Sequence, residues 1–184
     1  MVRAIDTHLN TIFSGWDTLQ TSLVHAIAPL SNVQLNWRPA QALRSVGETA
    51  GHIALGRIDW FSRMPAPGSQ ALQEKSAAIR KPNGDMIDPA VQDASQLVAW
   101  LGLTWTMVED TLNLWTVSDL YRTFRHTYWG KTYAVSYQWT IWRILSHDIQ
   151  HGGQIAQMLG IQGIECGELG DLGGHLNEPP MVEQ

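Results

Sequence analysis

Residues 137–159, YQWTIWRILSHDIQHGGQIAQML, carry the pattern from which both the fold and the site are read. Tyr137, Thr140, Ile144, His147, His151, Gln154 and Met158 advance by alternating steps of three and four, so they share one face of a long helix. His147 and His151 therefore point the same way. Positions i and i+4 lie about 40° apart around the axis and about 6 Å apart along it, which lets two imidazole nitrogens converge on one cation. Two neutral core histidines, each hydrogen-bonded, would give the same spacing, and the pair by itself leaves both readings open.

Outward from this helix, the prolines at 29, 39, 65, 67, 82, 89, 179 and 180 leave 1–28, 40–64 and 90–178 free of the strongest helix breaker. In the first gap Ile5, Leu9, Ile12, Trp16, Leu19, Leu23 and Ala26 keep the three-four alternation, which predicts one continuous helix ended by Pro29. The second helix is announced by Ser45 and Glu48 as a capping box and is expected over 46–64. Gly47, Gly51, Ala54 and Gly56 within it are tolerable where neighbours approach closely. Residues 65–92 are too long for a tight turn; a short helical piece at 70–79 is expected inside them. The third helix, 95–115, turns Leu97, Leu101, Val108, Leu112 and Trp115 inward, and 127–133 with Gly130 reads as a turn or small hairpin. Gly160 then caps the last helix. The expected fold is all-α, a four-helix bundle over 1–160 whose long crossover lets helices 2 and 3 run parallel, with an acidic Gly-rich tail at 161–184.

At 184 residues the chain is long enough to bury a core without staples. Its net charge of -5 comes from the tail, since 161–184 holds five acids and no Lys or Arg while the body is balanced. With no basic stripe, neither nucleic acid nor an anionic membrane is expected as a partner. The single cysteine, Cys166, excludes an internal disulfide and points to a reducing, cytoplasmic compartment. It has no basic neighbour in sequence to activate it and is read as an incidental thiol.

A zinc-like ion needs a third ligand from another element. His52 is chosen, because it is the only histidine in the second helix and sits in a Gly-rich segment where backbones can come close. His8 and His25 lie off the apolar stripe, His126 belongs to the hairpin region, and His175 to the tail.

At this point the chain resembles the DinB family, the DinB/YfiT-like metalloenzymes, over most of 1–160. The stretches that carry the likeness are Leu35-Asn36-Trp37-Arg38-Pro39, Ser45-Val46-Gly47-Glu48-Thr49-Ala50-Gly51-His52-Ile53, and Ser146-His147-Asp148-Ile149-Gln150-His151-Gly152-Gly153-Gln154-Ile155 followed by Met158-Leu159-Gly160. The family pattern of one His in the second helix and H-x-x-x-H in the fourth falls on His52, His147 and His151. The resemblance implies a mononuclear divalent ion, and Zn, Ni, Fe or Mn would suit three imidazoles. It also implies a transferase using a low-molecular-weight thiol such as bacillithiol or mycothiol on an electrophilic small molecule, and a homodimer.

Three neutral imidazoles leave open positions on an ion, which suits activation of either a thiol or water. A metal-dependent hydrolase is accordingly the alternative, and a non-catalytic, stress-related metal-binding bundle the third reading. Asp148 gives H-D-x-x-H, but it points about 100° from His147 and is short for a protease base. It is read as an orienting carboxylate or a bundle-surface ion-pairing group, with Glu48 and Asp59 as further candidates to orient His52. Of nine tryptophans, Trp16, Trp60, Trp100, Trp105 and Trp115 are taken as core. Trp129, Tyr133, Trp139 and Trp142, with Arg143 one turn before His147, are candidates to line a substrate pocket.

Overall fold

A computed structural model describes residues 7–80 and 93–170. Among these the chain is mostly helical, with α1 (Leu9–Ile12), α2 (Trp16–Ile27), α3 (Asn32–Asn36), α4 (Val46–Phe61), α5 (Ser69–Ala77), α6 (Ala94–Leu114) and α7 (Tyr137–Ile161). It is not purely α: β1 (Thr123–Tyr128) and β2 (Lys131–Ser136) form a two-stranded antiparallel sheet between α6 and α7. The register runs from Thr123↔Ser136 to Tyr128↔Lys131. Trp129 and Gly130 make the two-residue turn, with φ of 48° and 73°. Positive φ at both central residues suits the right-handed twist of the strands they join.

The helix starts follow the chain's polar residues. The Ser45 hydroxyl accepts the Glu48 amide at 3.2 Å, and the Glu48 carboxylate accepts the Ser45 amide at 2.9 Å. The same reciprocal cap opens α3 with Ser31 and Gln34 and α6 with Asp93 and Gln96. Each cap satisfies donors that the first turn leaves without helical partners. Inside the core, the hydroxyls of Thr104, Thr111 and Thr140 donate to carbonyls one turn back at 2.9, 2.6 and 3.1 Å, so these polar groups enter apolar packing without an orphaned donor.

Around these elements one core gathers Trp16, Leu19 and Leu23 of α2, Ile53 and Phe61 of α4, Leu97, Leu101 and Val108 of α6, and Ile141, Ile144 and Ile155 of α7. Helix α2 packs on α6 and α7, and α4 packs on the same two. Trp16 meets Trp105 edge-on at 5.9 Å, while Leu19 and Leu23 lie against Gly152.

The first helix differs from its expectation. It is broken at Gly15, whose φ of 96° is left-handed, and Ile12, expected inward, is 50% exposed. The segment before it is held by the end of α6: the Leu9 amide donates to the Trp115 carbonyl at 3.0 Å and the Val117 amide to the Thr7 carbonyl at 3.1 Å. Apolar spacing ran straight through the break. Ile5 and residues 81–92 of the crossover lie outside the described residues, although the helical piece within it stands as α5. Helix α4 ends three residues before Met64, which is nonetheless buried.

Gly160 does not cap α7 but lies within it; the left-handed residue is Gly163, with φ 73°. Beyond it Leu169, 1% exposed in a 3-10 turn, packs on α2 and α7, and residues 171–184, with His175, are outside the described residues. Among the described residues no helix is long and apolar enough to cross a membrane.

Candidate metal centre

Helices α4 and α7 run antiparallel at the site, because contacts that advance on one retreat on the other. His52 meets His147 and His151, Gly56 abuts His147, and Trp60 meets Arg143 and Trp139. His147 and His151, adjacent on one face of α7, thus both confront the single histidine of α4. One candidate ligand nitrogen from each of His52, His147 and His151 lies within 4.8 Å of the others. The Nε2 atoms of His52 and His147 are 3.1 Å apart. Two nitrogens bonded to one tetrahedral ion at about 2.05 Å stand roughly 3.3 Å apart, so this separation fits a shared cation with little movement. The trio read from the sequence is brought together.

Two of the remaining ring nitrogens face polar neighbours. His151 Nδ1 donates to the Gln154 side-chain carbonyl at 2.6 Å, which leaves its Nε2 lone pair for an ion. His147 Nδ1 lies 3.5 Å from Asp148 Oδ1, at the outer edge of hydrogen bonding. Burial lowers the pKa of His151; the Gln154 bond opposes the shift, while His147 and Arg44 add to it. A neutral imidazole with its tautomer set by a neighbour is the form that binds metal. The donor set therefore suits a borderline cation such as zinc or nickel.

Asp148 is not a surface group. It is 0% exposed, and its Oδ2 accepts from Arg57 Nε at 2.8 Å and from the Trp16 indole at 3.0 Å. Arg57 in turn donates to Gln20 at 2.7 Å, and its Nη2 has no partner among the described residues. No sequence period marked Arg57. Of the other carboxylates, Glu48 is occupied by the cap of α4 and by Arg38 at 2.6 Å, and Asp59 accepts from Arg80 at 2.6 and 3.2 Å.

Gly56 shows why α4 carries glycine here. A Cβ on it would sit 2.9 Å from His147 Cε1, closer than packed atoms approach. Alanine normally favours a helix interior by about 1 kcal/mol over glycine. Gly56→Ala is nonetheless expected to lower zinc affinity roughly 10-fold to 100-fold, the range found when groups that orient a ligand are disturbed. Competition titration against a chromophoric chelator reads this directly; an unchanged affinity would mean that the His147 ring has room to spare.

Where α4 and α7 meet the hairpin lies a cavity of about 510 Å³, lined by none of the three histidines but reached by Arg143, one turn of α7 before His147. Of the candidates from sequence, Tyr133, Trp139 and Arg143 line it, together with Trp60, His126 and Tyr128. Trp129 and Trp142 do not; they are 88% and 58% exposed. Trp60 packs against the core, as expected, and lines the cavity as well, and His126 enters because the strand register sets it opposite Tyr133. A more polar recess of about 540 Å³ opens at the other side, lined by Arg38, Arg44, Glu48 and Gln154 among others.

Residues 16–155 match the sequence model of the DinB superfamily. No curated protein sequence matches the chain significantly. Among solved structures, a DinB-like protein from Bacillus cereus ATCC 10987 superposes with a TM-score of 0.63 at 16% identity, covering 88% of this chain and 97% of its own. At that identity the likeness speaks for the fold alone.

Proposed function

The chain belongs to the DinB superfamily, and from that premise we propose that His52, His147 and His151 hold one divalent ion and that the protein transfers a low-molecular-weight thiol onto an electrophilic small molecule. The observation that carries the reading is the meeting of three imidazole nitrogens within 4.8 Å, from two helices. A site with three neutral protein ligands keeps positions open, as catalytic centres do and closed structural centres do not. Such an ion, when bound, favours the thiolate form of a thiol and polarises an electrophile.

The chain's own residues have separate tasks in this reading. Gln154 fixes the His151 ring, and the buried Arg57–Asp148 pair backs His147. The aromatic cavity, with Tyr133, Trp139 and Arg143, receives the body of the electrophile, and the polar recess receives the thiol. Zinc or nickel suits the all-nitrogen set best, with iron or manganese as further candidates. The packing of α2 and α4 on α6 and α7 supports reading the four long helices as a bundle with a long crossover between α4 and α6. A homodimer and a cytoplasmic setting complete the proposal, the first by family resemblance and the second from the lone cysteine.

A hydrolase would use the same trio, so the test is thiol dependence. Zinc-loaded protein and 1-chloro-2,4-dinitrobenzene should give enzyme-dependent thioether only when a thiol such as bacillithiol or mycothiol is added, and chelation should abolish it. Turnover of an ester or amide that ignores added thiol would favour the hydrolase. Failure of both, with zinc still bound, would leave the ion a non-catalytic part of the bundle.

A further inference from the structure

Two guanidinium groups stand on the Trp60 indole, Arg143 among the residues that line the aromatic cavity and Arg63 exposed outside that lining. Arg63 lies 4.5 Å from the centre of the Trp60 ring and Arg143 lies 4.8 Å from it, with Arg143 also 5.3 Å from Trp139. His126 meets the same Trp60 ring edge-on at 5.2 Å. Neither Arg63 nor Arg143 has an ion pair or side-chain hydrogen bond among the described residues. Asp59, one turn before Arg63, is the acid that acts on it, but its oxygens accept from Arg80.

Like charges gathered around one indole repel each other, and both partial desolvation and Arg143 weaken the hold of Arg63 on its proton. The π faces offset part of that repulsion but do not neutralise it. An anion between the two guanidiniums would. Trp60 and the exposed rings of Tyr128, Tyr133 and Trp139 line an open, largely apolar recess of about 510 Å³, within the roughly 300–1,000 Å³ typical of small-molecule sites.

We infer that this cavity recognises a small molecule with a flat apolar body and a carboxylate, the body stacked among the tryptophans and the carboxylate held by Arg63 and Arg143. Guanidinium groups match carboxylates with paired donors, which a neutral isostere cannot exploit. The inference rests on the reading that the substrate of the histidine centre occupies this cavity, since Arg143 stands one helical turn from His147, about 6 Å along α7. It narrows that substrate to an aromatic or similarly planar acid.

Calorimetric titration of metal-free protein with 2-naphthoate and with 2-naphthamide tests it without any turnover. Naphthoate should bind at least about 10-fold more tightly than the amide, as a charge-assisted pair with two cations implies. Arg63→Gln and Arg143→Gln should each remove most of that preference while leaving amide binding and the melting temperature near those of the parent. Zinc loading should leave the preference unchanged. Equal affinity for the two probes would overturn the inference, as would a preference that survives both substitutions. A preference that arises only with zinc would place the carboxylate on the ion and overturn it too. Loss of zinc binding in His147→Ala would not touch the naphthoate result, so failure of the metal reading and failure of this one are separable.

Discussion

An Arg57→Met variant is expected to unfold with about 3–5 kcal/mol less stability than the parent, the range seen when one partner of a buried ion pair is removed. Arg57 and Asp148 are both 0% exposed, and the Arg57 Nε to Asp148 Oδ2 bond is 2.8 Å. Methionine fills similar volume but leaves a buried carboxylate whose donors among the described residues are the Trp16 indole at 3.0 Å and, at 3.5 Å, His147 Nδ1. The penalty is the unpaired charge, not the lost attraction. The double variant Arg57→Met, Asp148→Leu should therefore recover much of the loss, because an ion pair replaced by packed apolar groups is often close to neutral. Denaturant titrations of the parent, both single variants and the double variant measure this as a cycle. A single-variant loss under about 1 kcal/mol would mean that water reaches the pair.

Replacing His52 by alanine is expected to lower zinc affinity by more than about 100-fold, beyond what loss of an orienting group causes. His52 is the contribution of α4 to the centre, so His52→Ala leaves only an i,i+4 pair on one helix. Proton competition adds a check on the parent. Imidazoles bind metal only when neutral, and burial holds the pKa of His151 below its ordinary 6.5. Zinc should thus be retained near neutrality and released as pH falls below 6.5, toward the lowered His151 value. The same shift bears on stability: the unfolded chain binds the His151 proton more readily, so this contribution is present above pH 6.5 and is lost on acidification through the lowered pKa. Zinc titrations of parent and variant across that window read both effects.

The histidine trio was legible because two signals agreed. Period placed His147 and His151 on one seam, and the glycines around His52 marked a close approach that Gly56 meets against His147. Asp148 was legible only in direction. Turning about 100° from His147 looked like a route to solvent, whereas that side of α7 faces Trp16 and Arg57, and no one-dimensional pattern shows which neighbour covers a flank. The break at Gly15 was hidden for a related reason: apolar spacing continues from Leu9 to Leu19, while the segment before the break is tied to residues 115–117, more than a hundred positions away. The cavity was half legible. Tyr133, Trp139 and Arg143 were found from their place around the start of the last helix, but Trp60 and His126 join them only through helix pairing and strand register.

Metal content of untagged protein, set beside that of His151→Ala, bears most directly on the centre itself. The arrangement predicts about one divalent ion per parent chain and close to none in the variant, with both folded by circular dichroism. Equal metal in the two proteins, whether one ion or none, would contradict a centre built from His52, His147 and His151.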